Sequence, residues 1–416
     1  MSVFKERVTL LQSIEVAVES YTTLYAKACC EKLPQDVAQS KCLHEASVNV
    51  IAELKKEPIF FQFESRMIRS ENGSFAFSPD LVAPKLILKA FEVKSAEAAV
   101  SWLERVLSTE KAAGFSIMAL WGVNVDTAIK LNDKITLVPV TGLPDSHQKK
   151  WLLEKNWLQS QFDAMPMPII DAPKVALVME TEIEPLFIDA KTEMSNQLWQ
   201  SNQESLEDAR LALSMFGPCA PVQACCWFTF LDQDIVDAQI GIARSSSHIE
   251  IMPIRFPQQA VLDADVTSSL VRKYLSLGNS IRQRIRVSLG RLNQGLRRFR
   301  PGDQAMEISI ALETLLADGG TENTYKIGLR AALLLGGDMA TKFENRAIVG
   351  GAYIMRSSLV HSGIVPDEIK VPRLGKMQAG EVAKKAAKVS AEVIQNIIQR
   401  GQIPEWFELE LQGDCA

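Results

Sequence analysis

The chain has 416 residues, more than one ordinary hydrophobic core holds, which predicts two to three domains. Its residues are 47% hydrophobic and 23% charged, and this globular composition excludes extensive disorder. The formal net charge of −5 is unevenly divided along the chain. Residues 266–416 hold 21 basic and 15 acidic side chains, a net charge of +6, which leaves −11 for residues 1–265. This asymmetry hints at a polyanion partner for the basic part.

Residues 1–260 alternate between helix and strand patterns. The predicted elements are, in chain order, helices at 2–32 and 37–55, hairpin strands at 59–68 and 74–83, a helix at 96–113, strands at 116–123 and 134–140, a helix at 147–162, a strand at 174–180, a helix at 195–215, and strands at 225–232 and 249–256. We expect Ser95 to cap the 96–113 helix and Gly114 to follow its end. The sequence therefore predicts a mixed α/β region with a sheet covered by helices, without a recognisable catalytic motif.

From residue 261 onward the pattern is helical, and glycine or proline separates one helix from the next. The predicted helices are 266–299, 303–316 with Asp303 as N-cap, 324–335, 341–361 and 380–400. Short connections between helices are typical of neighbours that pack antiparallel. We therefore predict a multidomain α+β protein, with a mixed α/β region at 1–260 and an all-α helical bundle at 261–416.

Charges interrupt the apolar residues of the N-terminal segment, and no apolar run approaches the roughly 20 residues that a bilayer-spanning helix needs. The seven cysteines include two adjacent pairs and no CxxC spacing, and the four histidines are far apart in the sequence. These features predict a cytoplasmic protein with reduced thiols, no membrane partner and no sequence-local zinc motif.

The first helix of the predicted bundle is strongly basic. Nine Lys and Arg side chains lie between Asp265 and Asp303, without an acidic residue. Basic side chains of this kind can neutralise phosphates, so the sequence favours RNA contact for six arginines: Arg282, Arg284, Arg286, Arg291, Arg297 and Arg298. The alternative is a solvated face of an amphipathic helix, although such faces usually mix both signs of charge.

Three short motifs stand at corresponding places in three successive helices: ALETLL at 311–316, LRAALLL at 329–335 and YIMRSSLVHSG at 353–363. Their order and spacing resemble the HEPN superfamily of ribonucleases, and most closely its ApeA-like branch. In that superfamily an Arg followed by a polar residue precedes a His by four to six positions, as Arg356, Ser357 and His361 do here. The resemblance covers about residues 266–400.

The resemblance implies a metal-independent endoribonuclease that uses no cofactor and leaves a 2′,3′-cyclic phosphate and a 5′-hydroxyl. It implies that His361 acts as general acid or base, that Arg356 binds the phosphate and that Ser357 orients the imidazole. It also implies a homodimer with a composite site between two copies of the fourth helix. Many members are toxins or phage-defence effectors that cut transfer RNA or other cellular RNA.

Residue chemistry alone leaves several alternatives open. Five positions along a straight helix rotate a side chain by about 140°, so Arg356 and His361 would converge only if the helix frays at its end or two chains face each other. Glu313 and Arg330 are supporting candidates that can equally form an interhelical ion pair, and Tyr353 can steady the guanidinium or belong to the core. The competing function is an inactive HEPN-like module for nucleic-acid binding, protein binding or dimerisation, and a third is a helical dimerisation domain on an unrecognised α/β enzyme.

Overall fold

The computed structural model describes residues 4–30, 35–62, 66–70, 73–76, 78–153, 172–183, 187–189, 197–217, 219–238, 260–318 and 323–412. These residues form a mixed α/β protein with a five-stranded antiparallel sheet and a helical C-terminal region, as the sequence predicts. Within the same ranges, no helix is both long enough and apolar enough to cross a membrane.

The N-terminal helices surround a hydrophobic core of their own. They are α1 (Arg7–Cys30), α2 (Gln35–Ala46), α3 (Val48–Leu54), α4 (Pro58–Gln62), α5 (Pro79–Val93) and α6 (Ala96–Ser108). The helix predicted at 37–55 is divided at Ser47, which precedes α3. The Ser95 hydroxyl accepts a hydrogen bond from the N–H of Ala98 at 3.1 Å, which confirms the predicted N-cap.

The predicted hairpin exists but is shorter than expected. Strands β1 (Arg66–Ser70) and β2 (Gly73–Ala76) pair antiparallel with Ser70 opposite Gly73, while turn residues 71 and 72 lie outside the described ranges. Residues 58–62 and 79–93, parts of which were predicted as strand, are instead helical. Pro79 explains the second case, because proline suits the first turn of a helix and cannot donate to a strand ladder.

The five-stranded sheet contains most of the predicted strands. In chain order the next strands are β3 (Ala112–Trp121), β4 (Val123–Asn124), β5 (Ile129–Lys130), β6 (Ile135–Pro139), β7 (Val175–Ile183), β8 (Phe187–Asp189) and β9 (Val222–Phe230). The sheet has the order β5-β6-β7-β3-β9, with every pair antiparallel, and β8 joins β1 and β2 in a separate sheet. The strand predicted at 249–256 falls outside the described residues.

Gly114 lies inside β3 rather than after a helix, so that prediction was wrong. A Cβ at this position would meet the carbonyl oxygen of Thr229 at 2.3 Å and the Phe228 ring at 2.4 Å. The glycine is therefore required by close packing between β3 and β9, and the helix before it ends at Ser108.

Helices cover both faces of the sheet. One face packs around Trp227 and Leu152, the latter from α7 (His147–Leu153), while the rest of the helix predicted at 147–162 is outside the described ranges. The other face packs against α8 (Gln197–Ala212), and the same hydrophobic core continues into the C-terminal helices. The domain boundary predicted at residue 260 stays a prediction. One hydrophobic core contains residues from both sides of this boundary.

The remaining elements are α9 (Gln233–Ala238), β10 (Ala260–Val261), α10 (Ala264–Leu275), α11 (Asn279–Arg297), α12 (Pro301–Leu316), α13 (Asn323–Leu335), α14 (Met339–Ser362), α15 (Ala379–Arg400) and α16 (Trp406–Gln412). The long helix predicted at 266–299 is interrupted at residues 276–278, where Gly278 is extended and begins α11. Asp303 is in the first turn of α12 and is not its N-cap, because Pro301 already starts the helix.

A β-hairpin inside the C-terminal region corrects the all-α prediction. Strands β11 (Glu368–Val371) and β12 (Gly375–Gln378) pair antiparallel and lie against α14 and α15. A Cβ at Gly351 of α14 would come within 3.2 Å of the buried Val371, so the glycine allows the hairpin to approach the helix closely.

Helix α14 keeps regular structure to Ser362 and ends in a left-handed glycine. Gly363 has a φ of 71°, and its N–H donates to the carbonyl oxygen of Leu359 at 2.9 Å. The chain then crosses the start of α12, where a Cβ at Gly302 would meet Val365 at 2.6 Å. This contact fixes the position of the α14 terminus relative to α12.

Candidate functional site

A pocket of about 830 Å³ lies between α12, α13 and α14. Its lining residues are Glu313, Thr324, Tyr325, Tyr353, Arg356, Ser357, Val360 and His361. The structure thus brings together all three predicted catalytic residues and two of the three supporting ones. Arg330 is the supporting residue that does not line the pocket.

Arg356 and His361 reach this pocket without any fraying of the helix. Of the two alternatives, the structure does not have the frayed helix end, because α14 is helical through Ser362. Going around the helix from Arg356, Tyr353 lies at about 60°, Ser357 at about 100° and His361 at about 140°. The pocket covers this whole sector of α14, so one cavity can include both ends of the motif.

The guanidinium of Arg356 is held by a carboxylate across the pocket. Its Nη1 donates to Oε1 of Glu313 in an ion pair, and its guanidinium carbon lies 5.6 Å from the centre of the Tyr353 ring. The Arg356 and Glu313 side chains are 30% and 26% exposed, so solvent screens the pair only in part. The cation is therefore fixed in place and partly neutralised.

Tyr353 contributes a hydroxyl that has no hydrogen-bond partner within the described residues. The residue is only 7% exposed, and it forms part of the pocket wall. Burial, and then the negative charge of Glu313, raise the pKa of the Tyr353 phenol above its usual range. A buried polar group without a partner is costly, so a polar ligand in the pocket would gain a hydrogen bond here.

Ser357 lines the pocket next to His361, but no hydrogen bond joins these two residues in the part of the chain that the structure describes. Its role in orienting the imidazole stays a prediction. His361 is an exposed residue at the end of α14. Its imidazole can therefore meet a ligand that enters from solvent.

Arg330 is a buried structural residue, and it does not pair with Glu313 as one alternative expected. Its Nε donates to Oε1 of Glu410 at 2.7 Å, its Nη1 to the carbonyl oxygen of Leu316 at 2.6 Å, and its Nη2 to Oδ2 of Asp318 at 2.6 Å. These bonds join α13 to the end of α12 and to α16. Arg330 thereby fixes the helix that supplies Thr324 and Tyr325 to the pocket.

The six arginines predicted to contact RNA have partners inside the protein. Arg282 and Arg286 lie 3.9 and 2.9 Å from carboxylate oxygens of Asp208 in α8. Arg291 and Arg298 pair with Glu307 of α12 at 3.1 and 2.8 Å. The other two are also engaged: Arg284 donates to the carbonyl oxygen of Thr314 at 2.9 Å, and Arg297 has a partner as well. RNA contact by this helix stays a prediction. The acidic side chains that its own sequence lacks are supplied by the neighbouring helices α8 and α12.

Sequence reasoning missed the contribution of α13 to the pocket. Tyr325 is 55% exposed, and the guanidinium carbon of Arg346 lies 4.6 Å from the centre of its ring. A tyrosine at the start of a helix has no periodic signal of its own. The signal that could have indicated it is the antiparallel packing of α13 on α14, which brings the beginning of one helix near the end of the other.

Comparisons of the chain with protein-family models, with curated proteins and with solved structures find no match. The chemistry of the pocket is therefore the basis for a functional assignment. A fixed guanidinium suits a phosphate, a phenol hydroxyl can donate a hydrogen bond, and an imidazole can accept or release a proton near neutral pH. This combination can bind a phosphodiester and move a proton beside it.

Proposed function

We propose that the C-terminal helical region is an ApeA-like HEPN ribonuclease domain and that the pocket is its active site. The observation that carries this proposal is the presence of Arg356 and His361 in one pocket, although they point in different directions from a continuous helix. Ser357, Tyr353 and Glu313 from the resembling motifs line the same cavity. A surface ion pair or a helix cap would not require this arrangement.

The reaction is a transesterification that needs no metal and no cofactor. The 2′-oxygen of RNA forms a bond to phosphorus, the bond to the 5′-oxygen breaks, and a 2′,3′-cyclic phosphate and a 5′-hydroxyl result. One proton leaves the 2′-hydroxyl and another reaches the departing 5′-oxygen, and His361 carries out one of these transfers. Arg356 binds the phosphate and stabilises the charge that develops on it, while the Tyr353 hydroxyl donates to a phosphate oxygen.

Glu313 holds the guanidinium that the phosphate needs. A phosphodiester must share or replace that carboxylate before Arg356 can stabilise the transition state. The pair therefore keeps the cation in position and lowers the activity of the resting enzyme. This is compatible with a toxin or phage-defence effector in the cytoplasm that cuts transfer RNA or other cellular RNA only after activation.

A homodimer through α14 is part of the proposal. Exposed apolar side chains lie along this helix and include Met339, Ile354 and Val360, the last of which lines the pocket, with Ile364 just beyond the helix end. Burial of such side chains against a second copy would stabilise a dimer. Two pockets would then meet in one cleft that contains both Arg356–His361 motifs.

Cleavage of RNA in the presence of EDTA tests the assignment. We expect His361→Ala and Arg356→Ala each to lower the cleavage rate by roughly 10² to 10³, the usual cost of removing a proton-transfer group or a charge-stabilising donor. Matched controls are His44→Ala, an exposed histidine of α2, and Arg400→Ala, an exposed arginine at the end of α15. Undiminished cleavage by both pocket variants would refute the site.

The second candidate function is an inactive HEPN-like module that binds RNA or protein. The observation that favours it is the engagement of Arg356 by Glu313, since a cation neutralised in this way can serve a structural purpose. Glu313→Gln separates the two candidates, because it frees the guanidinium while preserving the shape of the side chain. Cleavage that rises in this variant supports the enzyme, and absence of cleavage in a folded, RNA-binding variant supports the module.

A further inference from the structure

The hairpin β11–β12 presents two lysines directly opposite each other. Lys370 and Lys376 are cross-strand partners, and both are exposed. The neighbouring Ile369 and Val371 are buried on the opposite face, which packs toward α14 and α15. Directly opposed side chains have Cβ atoms about 4.5–5.5 Å apart, and like charges at this spacing destabilise a strand pair.

The turn of the same hairpin carries a third cation in an unfavourable backbone conformation. Arg373 has a φ of 65° at the third position of the turn Val371–Leu374. The N–H of Leu374 donates a hydrogen bond to the carbonyl oxygen of Val371 at 3.2 Å and closes this turn. Glycine or asparagine usually occupies such a position. The Arg373 guanidinium carbon lies 4.3 Å from the centre of the Phe343 ring on α14. Such a conformation costs free energy in a residue other than glycine, and residues of this kind cluster at ligand-binding sites.

These three cations differ from the arginines of α11. Within the described ranges no ion pair joins Lys370, Arg373 or Lys376 to an acid. Glu368, the carboxylate of the hairpin itself, accepts a hydrogen bond from Nε2 of Gln378 at 3.0 Å, at the end of the strands away from the turn. The hairpin therefore has positive charge that the protein does not neutralise, whereas Asp208 and Glu307 neutralise much of α11.

The hairpin and the pocket both adjoin α14. Val371 packs near Gly351, which is about 200° around α14 from Tyr353 of the pocket wall, so this strand lies on a different face of the helix. At the turn, Arg373 lies over Phe343, and one helical turn further on Arg346 lies over Tyr325, another residue of the pocket wall. Cation–aromatic contacts thus lead from the hairpin turn to the pocket.

We propose that the hairpin β11–β12 binds the phosphate backbone of the RNA strand whose scissile bond occupies the pocket. This inference rests on the proposed ribonuclease function and names the surface that holds the rest of the substrate. Lys370, Lys376 and Arg373 neutralise phosphates that flank the cleavage site. The phosphates compensate the repulsion between the lysines and the strain at the turn. The arginines of α11 already have partners among the described residues, whereas these three cations form no ion pair there.

The salt dependence of RNA affinity tests the proposal. A labelled, unstructured poly(U) strand and a stem–loop RNA are titrated with full-length His361→Ala protein in EDTA, so that the RNA stays intact. For single strands the slope of log K against log salt falls by about 0.7 per lost phosphate contact. We expect Lys370→Gln with Lys376→Gln to lower the slope by about 1.4. The matched control, Lys134→Gln with Lys150→Gln, removes the same charge from exposed lysines of the sheet region and leaves the slope unchanged.

Lys370→Glu separates a binding role from a folding role. It places a carboxylate opposite Lys376, so the hairpin becomes more stable while RNA affinity falls. An unchanged slope in the double glutamine variant, absence of RNA binding at any salt concentration, or a change in oligomeric state without a change in slope would each overturn the proposal. RNA cleavage by the protein with His361 intact is measured separately. RNA that binds through the hairpin but is never cut would refute the proposed ribonuclease function and leave the proposed RNA-binding role of the hairpin standing.

Discussion

Replacing Arg330 with methionine would remove a guanidinium that is 2% exposed and holds three elements together. Its partners are the Leu316 carbonyl oxygen, which ends α12, and the carboxylates of Asp318 and Glu410. Methionine retains much of the apolar stem, and it can still pack near Trp406, over whose ring the guanidinium carbon lies at 5.4 Å. The substitution therefore tests mainly the polar contacts.

The expected loss of stability follows from how deeply each partner is buried. Removing one member of a buried ion pair costs about 3–5 kcal/mol when the remaining charge stays buried. The side chains of Asp318 and Glu410 are 39% and 26% exposed, so water can solvate both carboxylates after the change. The Leu316 carbonyl oxygen still loses its partner. We therefore expect a loss of about 3 kcal/mol, at the lower end of that range.

Urea unfolding of the full-length chain measures this loss. With a slope m of about 3 kcal/mol per molar urea, the midpoint would fall by roughly 1 M. Lys326→Met is the matched control, because Lys326 is on the same helix and approaches the same Asp318, at 3.7 Å, but is 31% exposed. It should cost less than about 1 kcal/mol. Equal shifts in the two variants, or an Arg330→Met protein that keeps its midpoint yet loses RNA cleavage, would refute the structural role of Arg330.

Two further predictions concern packing and pH. Gly302→Ala would place a Cβ 2.6 Å from Val365, so we expect a loss of about 1–3 kcal/mol in urea unfolding; an unchanged midpoint would show that the chain after α14 can move away freely. Burial raises the pKa of Cys219 and Cys225 to about 12. Above about pH 9 the unfolded chain loses thiol protons that the folded chain keeps, so stability should fall by up to about 1.4 kcal/mol per pH unit and thiol. Urea midpoints between about pH 8 and pH 10.5 check this, and Cys219→Ala with Cys225→Ala should make the profile less steep, while burial of the Cys226 thiol, whose pKa is also raised, keeps part of it.

Local signals in the sequence were sufficient where one residue decides the backbone. Gly363 ends α14 in a left-handed conformation, and Ser95 caps α6, as predicted. The same kind of signal misled at Gly114, where the glycine is required by a neighbouring strand and not by a helix end. The hairpin β11–β12 was missed because its strands are only four residues long and Pro372 separates them. Short strands are largely determined by what they pack against.

The sequence predicted which residues line the pocket better than it predicted which ion pairs they form. Because Arg356, Ser357 and His361 belong to one helix, their order in the sequence nearly determines their neighbourhood. The partner of Arg356 depends instead on how α12 packs against α14, and the sequence offered only Arg330 as an alternative partner for the Glu313 carboxylate. The acids that meet the arginines of α11 were missed for the same reason, since they come from α8 and α12.

The single core that joins the sheet to the C-terminal helices has a mechanical consequence. Leu177 of β7 and Ala209 of α8 are in the same apolar layer as Leu289 of α11 and Leu312 of α12, and Glu313 is the next residue along the chain. Because these side chains are close-packed, a displacement of the sheet would be transmitted to α12, the helix that carries the Glu313 carboxylate. The sheet region would therefore be mechanically coupled to the pocket and would not move as an independent domain.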